Sequence, residues 1–284
     1  HFHGFCLNVH KNTKMSKFKK YVDEVRESKN TELEILDKGV SNILDIPGLI
    51  NLKQLTRITM SHNKIKVLPP GIADFPNLEV LNLFNNQIEE LPTSISSLPK
   101  LKILNLGMNR LNVLPRGFGS FPALEVLDLT YNNLSEKSLP GNFFMLHSLR
   151  ALYLGDNDFE TIPGDICQLK CLQILVLRDN DLIYLPPELS QLQALRELHI
   201  QGNRLTLLPP ELGVLDMVGT KHVFKMENNP WVPPILDQLK LGLSHVFDFI
   251  RTDTYKYLHG RHLAANPVPP PKNPEKAKKI SRKA

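Results

Sequence analysis

The chain has 284 residues, 42% of them hydrophobic and 22% charged, with a formal charge of +5 at neutral pH. Such a length could hold two ordinary domains, and the apolar share suffices for a large core. No apolar run is long enough for a membrane span, no secretory leader is visible, and three cysteines suit a reducing compartment rather than a disulfide framework.

In chain order, residues 1–14 fit neither a helix pattern nor anything that follows, while Met15-Ser16-Lys17 reads as a natural start. The first fourteen residues, Cys6 among them, are expected to be an upstream extension or an added remnant. Phe18, Tyr21, Val22 and Val25 then fall at i, i+3, i+4 and i+7, which predicts a short amphipathic helix over 15–30. From residue 31 the frame becomes L-x-x-L-x-L-x-x-N. Asn63, Asn86, Asn109, Asn132, Asn157, Asn180 and Asn203 follow at intervals of 23, 23, 23, 25, 23 and 23 residues. Apolar residues recur before and after each asparagine, as in Leu78, Leu81, Leu83, Asn86, Ile88 and Leu91-Pro92. Self-similarity at this period marks a leucine-rich repeat array. A degenerate first unit carries Leu33, Ile35, Val40 and Ile43 with Lys38 where the asparagine belongs, and a ninth carries Phe224, Met226 and Asn229.

The predicted fold is an α/β solenoid: a leucine-rich repeat horseshoe over 31–229 with a parallel concave β-sheet, short convex turns and helical caps at both ends. In each unit the L-x-L core is a short strand whose leucines point inward and whose intervening residues point out. The asparagine ends the strand with its amide inside the turn, where it can satisfy backbone groups that the ladder leaves unpaired. The Leu-Pro that follows opens a segment too short for a long helix, so 3₁₀ or irregular turns are expected. The longer fourth interval places two extra residues near Ser135 to Ser138, in a loop that keeps the strand register.

A solenoid needs a cover at each end. The helix over 15–30 supplies one, and residues 230–262 supply the other. There Trp231 should anchor a lid, and Pro233-Pro234 open one helical run with Ile235, Leu239, Leu243, Val246, Phe247 and Ile250 on a single face. Residues 263–284, with Pro267-Val268-Pro269-Pro270-Pro271 and a lysine run, are expected to be a disordered, extended arm. Nuclear targeting or contact with acidic lipid is the functional alternative for Lys278 to Lys283. Residues 1–20 hold five lysines and no acid, and residues 272–284 hold six basic residues against Glu275, so the intervening body is net acidic. That distribution argues against a nucleic-acid groove, which needs clustered basic residues on the binding face.

Catalytic patterns are absent. His62, His147, His199, His222, His245, His259 and His262 share no spacing, and neither G-x-S-x-G, H-E-x-x-H nor a phosphate loop occurs. Cys167 and Cys171 have no second pair, so a metal is not expected. The reading is a protein that is not an enzyme and takes no cofactor.

What remains is the outward stripe. Four positions before the asparagines come Asn105, Asp128, Tyr153, Val176 and His199; two before come Phe84 and Arg178; one before come Met108, Tyr131, Asp156 and Asp179. Large aromatic and apolar residues rimmed by charges are what a protein interface needs. These eleven residues are the predicted protein-binding set.

The 23-residue units with Leu-Pro after each Asn resemble the intracellular Ras-suppressor class of leucine-rich repeats. The segments Phe84 to Pro92, Leu106 to Asn112, Leu129 to Ser135 and Glu227 to Trp231, with the Lys278 to Lys283 tail, carry the resemblance from about Met15 to Ala284. Lys38 and the first fourteen residues depart from the family pattern. The resemblance implies a monomeric cytoplasmic adaptor at cell–matrix focal adhesions. It would bind a LIM domain of PINCH, connect indirectly to integrin-linked kinase and parvin, and restrain the Ras pathway. The alternative is a scaffold that binds a Ras-like GTPase or a phosphatase directly.

Overall fold

A computed structural model describes residues 17–279. The expected extension over 1–14, and residues 280–283 of the basic cluster, lie outside the described residues. The chain forms two compact units, one ending at Asp128 but also holding Pro140–Leu146, the other holding Leu129–Leu139 and the chain from His147 onward.

In the first unit a helix, α1, covers 17–28 and buries Phe18, Val22 and Val25. Strands β1 (Glu32–Glu34), β2 (Arg57–Thr59), β3 (Val80–Asn82), β4 (Ile103–Asn105) and β5 (Val126–Asp128) pair in parallel and in chain order. Equivalent residues sit opposite one another, Leu33 beside Ile58 and Ile58 beside Leu81, so each inward side chain stacks on its counterpart. In the second unit β6 (Ala151–Tyr153), β7 (Ile174–Val176), β8 (Glu197–His199) and β9 (Val223–Lys225) repeat the arrangement. The chain is a leucine-rich repeat solenoid. Its return segments are short 3₁₀ turns such as Thr93–Ser97 and Pro187–Gln191, entered from extended prolines, as the Leu-Pro signal predicts.

The asparagines seal the turns from inside. Asn86 accepts from the Ile65 N–H at 3.0 Å and donates to the Met60 and Leu83 carbonyls, each at 3.0 Å. Asn157 and Asn180 repeat the pattern, and both are at most 2% exposed. The first unit lacks an asparagine of its own, yet Asn63 of the next unit caps it, accepting from the N–H groups of Lys38 and Val40. Where the sequence holds two extra residues, Ser135 and Ser138 close a reciprocal capping box around the turn Glu136–Ser138. Leu134 still reaches Asn157 at 3.0 Å, so the buried amide bond on the near side of the insertion is kept.

The C-terminal cap departs from the expected single run. Gly242, at φ 132° and ψ 163°, breaks it into α2 (Pro233–Leu241) and α3 (Leu243–Ile250). A further helix, α4 (Asp253–Ala265), ends at left-handed Asn266, beyond residue 262. Trp231 is buried and its Nε1 donates to the Met226 carbonyl at 2.7 Å, the anchoring role expected of it. Tyr255 of α4 is fully buried, its hydroxyl bonded to both the N–H and the carbonyl of Leu208, and burial pushes its phenol pKa well up.

Residues 267–279 also correct the expectation of a solvated arm. The Arg204 Nε donates to the Pro270 carbonyl at 2.6 Å, Lys272 pairs with Glu160, and Lys276 lies 3.3 Å from Asp181. Asn273 caps a final 3₁₀ turn, Pro274–Lys278. Charge pairing with the acidic body holds down a segment too poor in apolar residues to dock by burial.

Candidate protein interface

The predicted binding residues divide between strand and turn. Positions four before each asparagine lie on the strands, while those one before lie past the strand ends. His62, Asn85, Met108, Tyr131, Asp156, Asp179, Gly202 and Asn228 all take left-handed φ, between 52° and 72°. The turn needs that conformation to swing the next asparagine inward. Glycine, asparagine and aspartate accept it readily, whereas a bulky side chain there is an outlier costing about 1–2 kcal/mol. The alternation of Asn, Asp and Gly at this position was the sequence signal for it. Met108, Tyr131, Asp156 and Asp179 are therefore turn-edge residues, not strand residues.

In the first unit, Phe84 is half-buried and sits edge-on to His62, with ring centroids 5.5 Å apart. His62 Nδ1 in turn lies 2.9 Å from the Asn85 amide. Gly107 makes room for the Phe84 ring: a Cβ there would meet Phe84 Cδ2 at 3.1 Å. Asn105 turns its amide oxygen back to the Gly107 N–H at 3.0 Å, so it stiffens the edge as well as facing outward. Asp128 and Met108 are half-buried beside them in the repeat order.

In the second unit, Arg178 bridges two acids. Its Nη1 is 2.6 Å from Asp156 and 2.9 Å from Asp179. Burial pulls the guanidinium pKa down, but the carboxylates outweigh it and leave it above the ordinary arginine value. Gly155 supplies the space for this arginine, since a Cβ there would meet Arg178 Cγ at 3.1 Å. Tyr153 and His199 flank Val176 at equivalent positions on β6, β7 and β8. Their larger side chains leave Val176 only 7% exposed. Val176 thus belongs to the packing and leaves the predicted contact set. His199 is also partly occupied, 3.3 Å from Glu197.

The stripe reading missed Glu160, Asp181 and Arg204, which meet the tail, along with Lys272, Lys276 and Lys279 on the tail itself. Their signal is weak: an acid three residues after Asn157, another one residue after Asn180, and lysines spaced three and four apart. Among the described residues no helix is long and apolar enough to cross a membrane, and no cluster of three metal-ligating side chains occurs.

Two family models match the chain, one for a leucine-rich repeat region over 111–229 and one for a leucine rich repeat over 76–134. Among solved structures, the plant peptide hormone receptor RGFR1 in complex with RGF2 is similar with a TM-score of 0.56 and 25% identity. That match covers 66% of this chain and 31% of the receptor. Among curated proteins, the human Ras suppressor protein 1 is 68% identical over 270 residues, covering 95% of this chain and 98% of the human protein. The mouse protein of that name is 72% identical over the same shares. At this identity over nearly the full length of both chains, the chain belongs to the Ras suppressor family of leucine-rich repeat proteins.

Proposed function

We propose that this protein is a non-enzymatic cytoplasmic adaptor whose strand and turn-edge residues bind a LIM domain of PINCH. Through PINCH it joins integrin-linked kinase and parvin at cell–matrix adhesions and restrains Ras signalling. The observation that carries the binding role is Met108 and Tyr131, two bulky side chains kept at left-handed turn positions where smaller residues would relieve strain. Strain retained at a surface points to a task there. In one unit Phe84 and Met108 offer apolar anchors and Asp128 a charge; in the other Tyr131 and Tyr153 offer anchors, and Arg178 with Asp156 and Asp179 offers directional charge. A LIM domain is a compact module that carries its own zinc, and an ordinary interface takes roughly 800 Å² from each partner.

The test is a calorimetric titration of the full chain with each purified PINCH LIM domain, beside Ras loaded with GTP or GDP. Saturable binding of one LIM domain, indifferent to Ras, is the expected result. Binding of GTP-loaded Ras without any LIM domain would replace the adhesion adaptor with a direct GTPase scaffold, the reading that the relatives' name favours.

A further inference from the structure

The tail and the turn edge beneath it are chemically matched. Lys276 Nζ donates to the Asn157 carbonyl at 2.9 Å and lies 3.3 Å from Asp181 Oδ2. Lys279 Nζ donates to the carbonyls of Asn132 and Asp156 and stands 4.6 Å from the centre of the Tyr131 ring. Lys279 is only 8% exposed.

Three features make this edge a seat for ammonium groups. Its carbonyl acceptors come from the turn residues Asp156, Asn157 and Asn132, which the left-handed residues at 131 and 156 position at the strand ends. Tyr131 adds an aromatic face, which attracts a cation through its quadrupole. Asp181 adds a carboxylate that is 4% exposed, and its Oδ1 finds no hydrogen-bond partner. A carboxylate this deeply buried is costly without a cation beside it, and its second oxygen could take a further donor. The tail is shaped to supply two cations at once. Lys276 lies in the 3₁₀ turn Pro274–Lys278 and Lys279 caps it, and residues three apart in such a turn point the same way.

We propose that this edge is a lysine-reading site, whose ligand is a basic segment presenting two lysines three residues apart on one side of a 3₁₀ turn. The chain's own tail fills it in cis. A basic segment of another protein enters only by displacing the tail, so the tail acts as an internal competitor.

Lysine reactivity in the full chain tests the occupied state without any partner. Under brief acylation read by mass spectrometry, Lys276 and Lys279 should react about tenfold more slowly than Lys240, whose side chain is 68% exposed. Asp181→Asn should expose Lys276, and Tyr131→Leu should expose Lys279. The vacant state is tested with the full-length Lys276→Gln/Lys279→Gln variant, which alters only the tail. A peptide of residues 267–284 should bind that variant about tenfold more tightly than the unaltered chain. The same peptide with glutamine at both lysines should not bind. Equal reactivity of Lys276, Lys279 and Lys240 would overturn the proposal. So would a vacated variant that takes the peptide no better than the unaltered chain.

Discussion

The inside and the outer edge of each turn obey different rules. Inside, Asn63, Asn86, Asn157, Asn180, Asn203 and Asn229 make the same bonds to the same backbone groups. On the edge, one residue earlier, the backbone angle is just as uniform, yet the side chains run from glycine to tyrosine. The backbone requirement is met in every repeat, and the side chain is left to vary. Stability is thus concentrated in the interior set, and the binding role proposed above is assigned to the edge, where a bulky residue is a cost the fold does not need.

The strongest way to break this division is to remove an interior group. Asn157→Ala would strip the Leu134 N–H and the carbonyls of Leu129 and Leu154 of their buried partner. It should cost about 3 kcal/mol or more in denaturant unfolding, since each buried group left unpaired costs roughly 1–3 kcal/mol. Leu129→Ala, at a fully buried position, should cost about 2–5 kcal/mol. If either change were neutral, the interior would not hold the repeats.

Edge substitutions should be smaller and of either sign. Gly202→Ala forces a Cβ into a left-handed residue, where it would meet the Asp179 carboxylate, and should destabilise by about 1–2 kcal/mol. Met108→Asn should do the reverse, raising stability by about 1 kcal/mol, because asparagine accepts φ 53° at little cost. That gain, read from the unfolding midpoint, would sharpen the comparison most, since few surface changes in a fold are expected to stabilise it.

The smallest effect concerns pH. The hydrogen bond from Lys272 holds the Glu160 carboxyl below the usual carboxylate range. A depressed folded-state value means that the contact contributes above that range and is lost as pH falls through the lowered value. Lys272 should therefore gain reactivity in acid, after correction for its own protonation, and Glu160→Gln should abolish that pH dependence. The pair is exposed, so global stability should barely move.

The interior was legible from residues alone because a period of 23 repeats one physical problem many times. Each L-x-L-x-x-N frame is solved by the same strand, turn and buried amide. The caps pose their problems once. Nothing periodic announced that Gly242 would break the lid into α2 and α3, or that α4 would reach Ala265. The tail departs from its composition for a related reason: composition alone predicts solvation for a proline and lysine segment, and its docking depends on Asp181 and Glu160, acids more than 90 residues away. At the site, aromatic and charged residues were visible at their repeat positions. The left-handed turn was marked by the Asn, Asp and Gly recurring one residue before the interior asparagine, whereas the burial of Val176 depended on its neighbours in adjacent repeats.

The most direct test of this division of labour is calorimetric titration of one PINCH LIM domain into the unaltered chain and into Met108→Asn, with each protein's unfolding midpoint recorded alongside. The account predicts a variant that is at least as stable and binds about tenfold more weakly. Unchanged affinity in a folded variant would contradict it, and would move the interface off the turn edge.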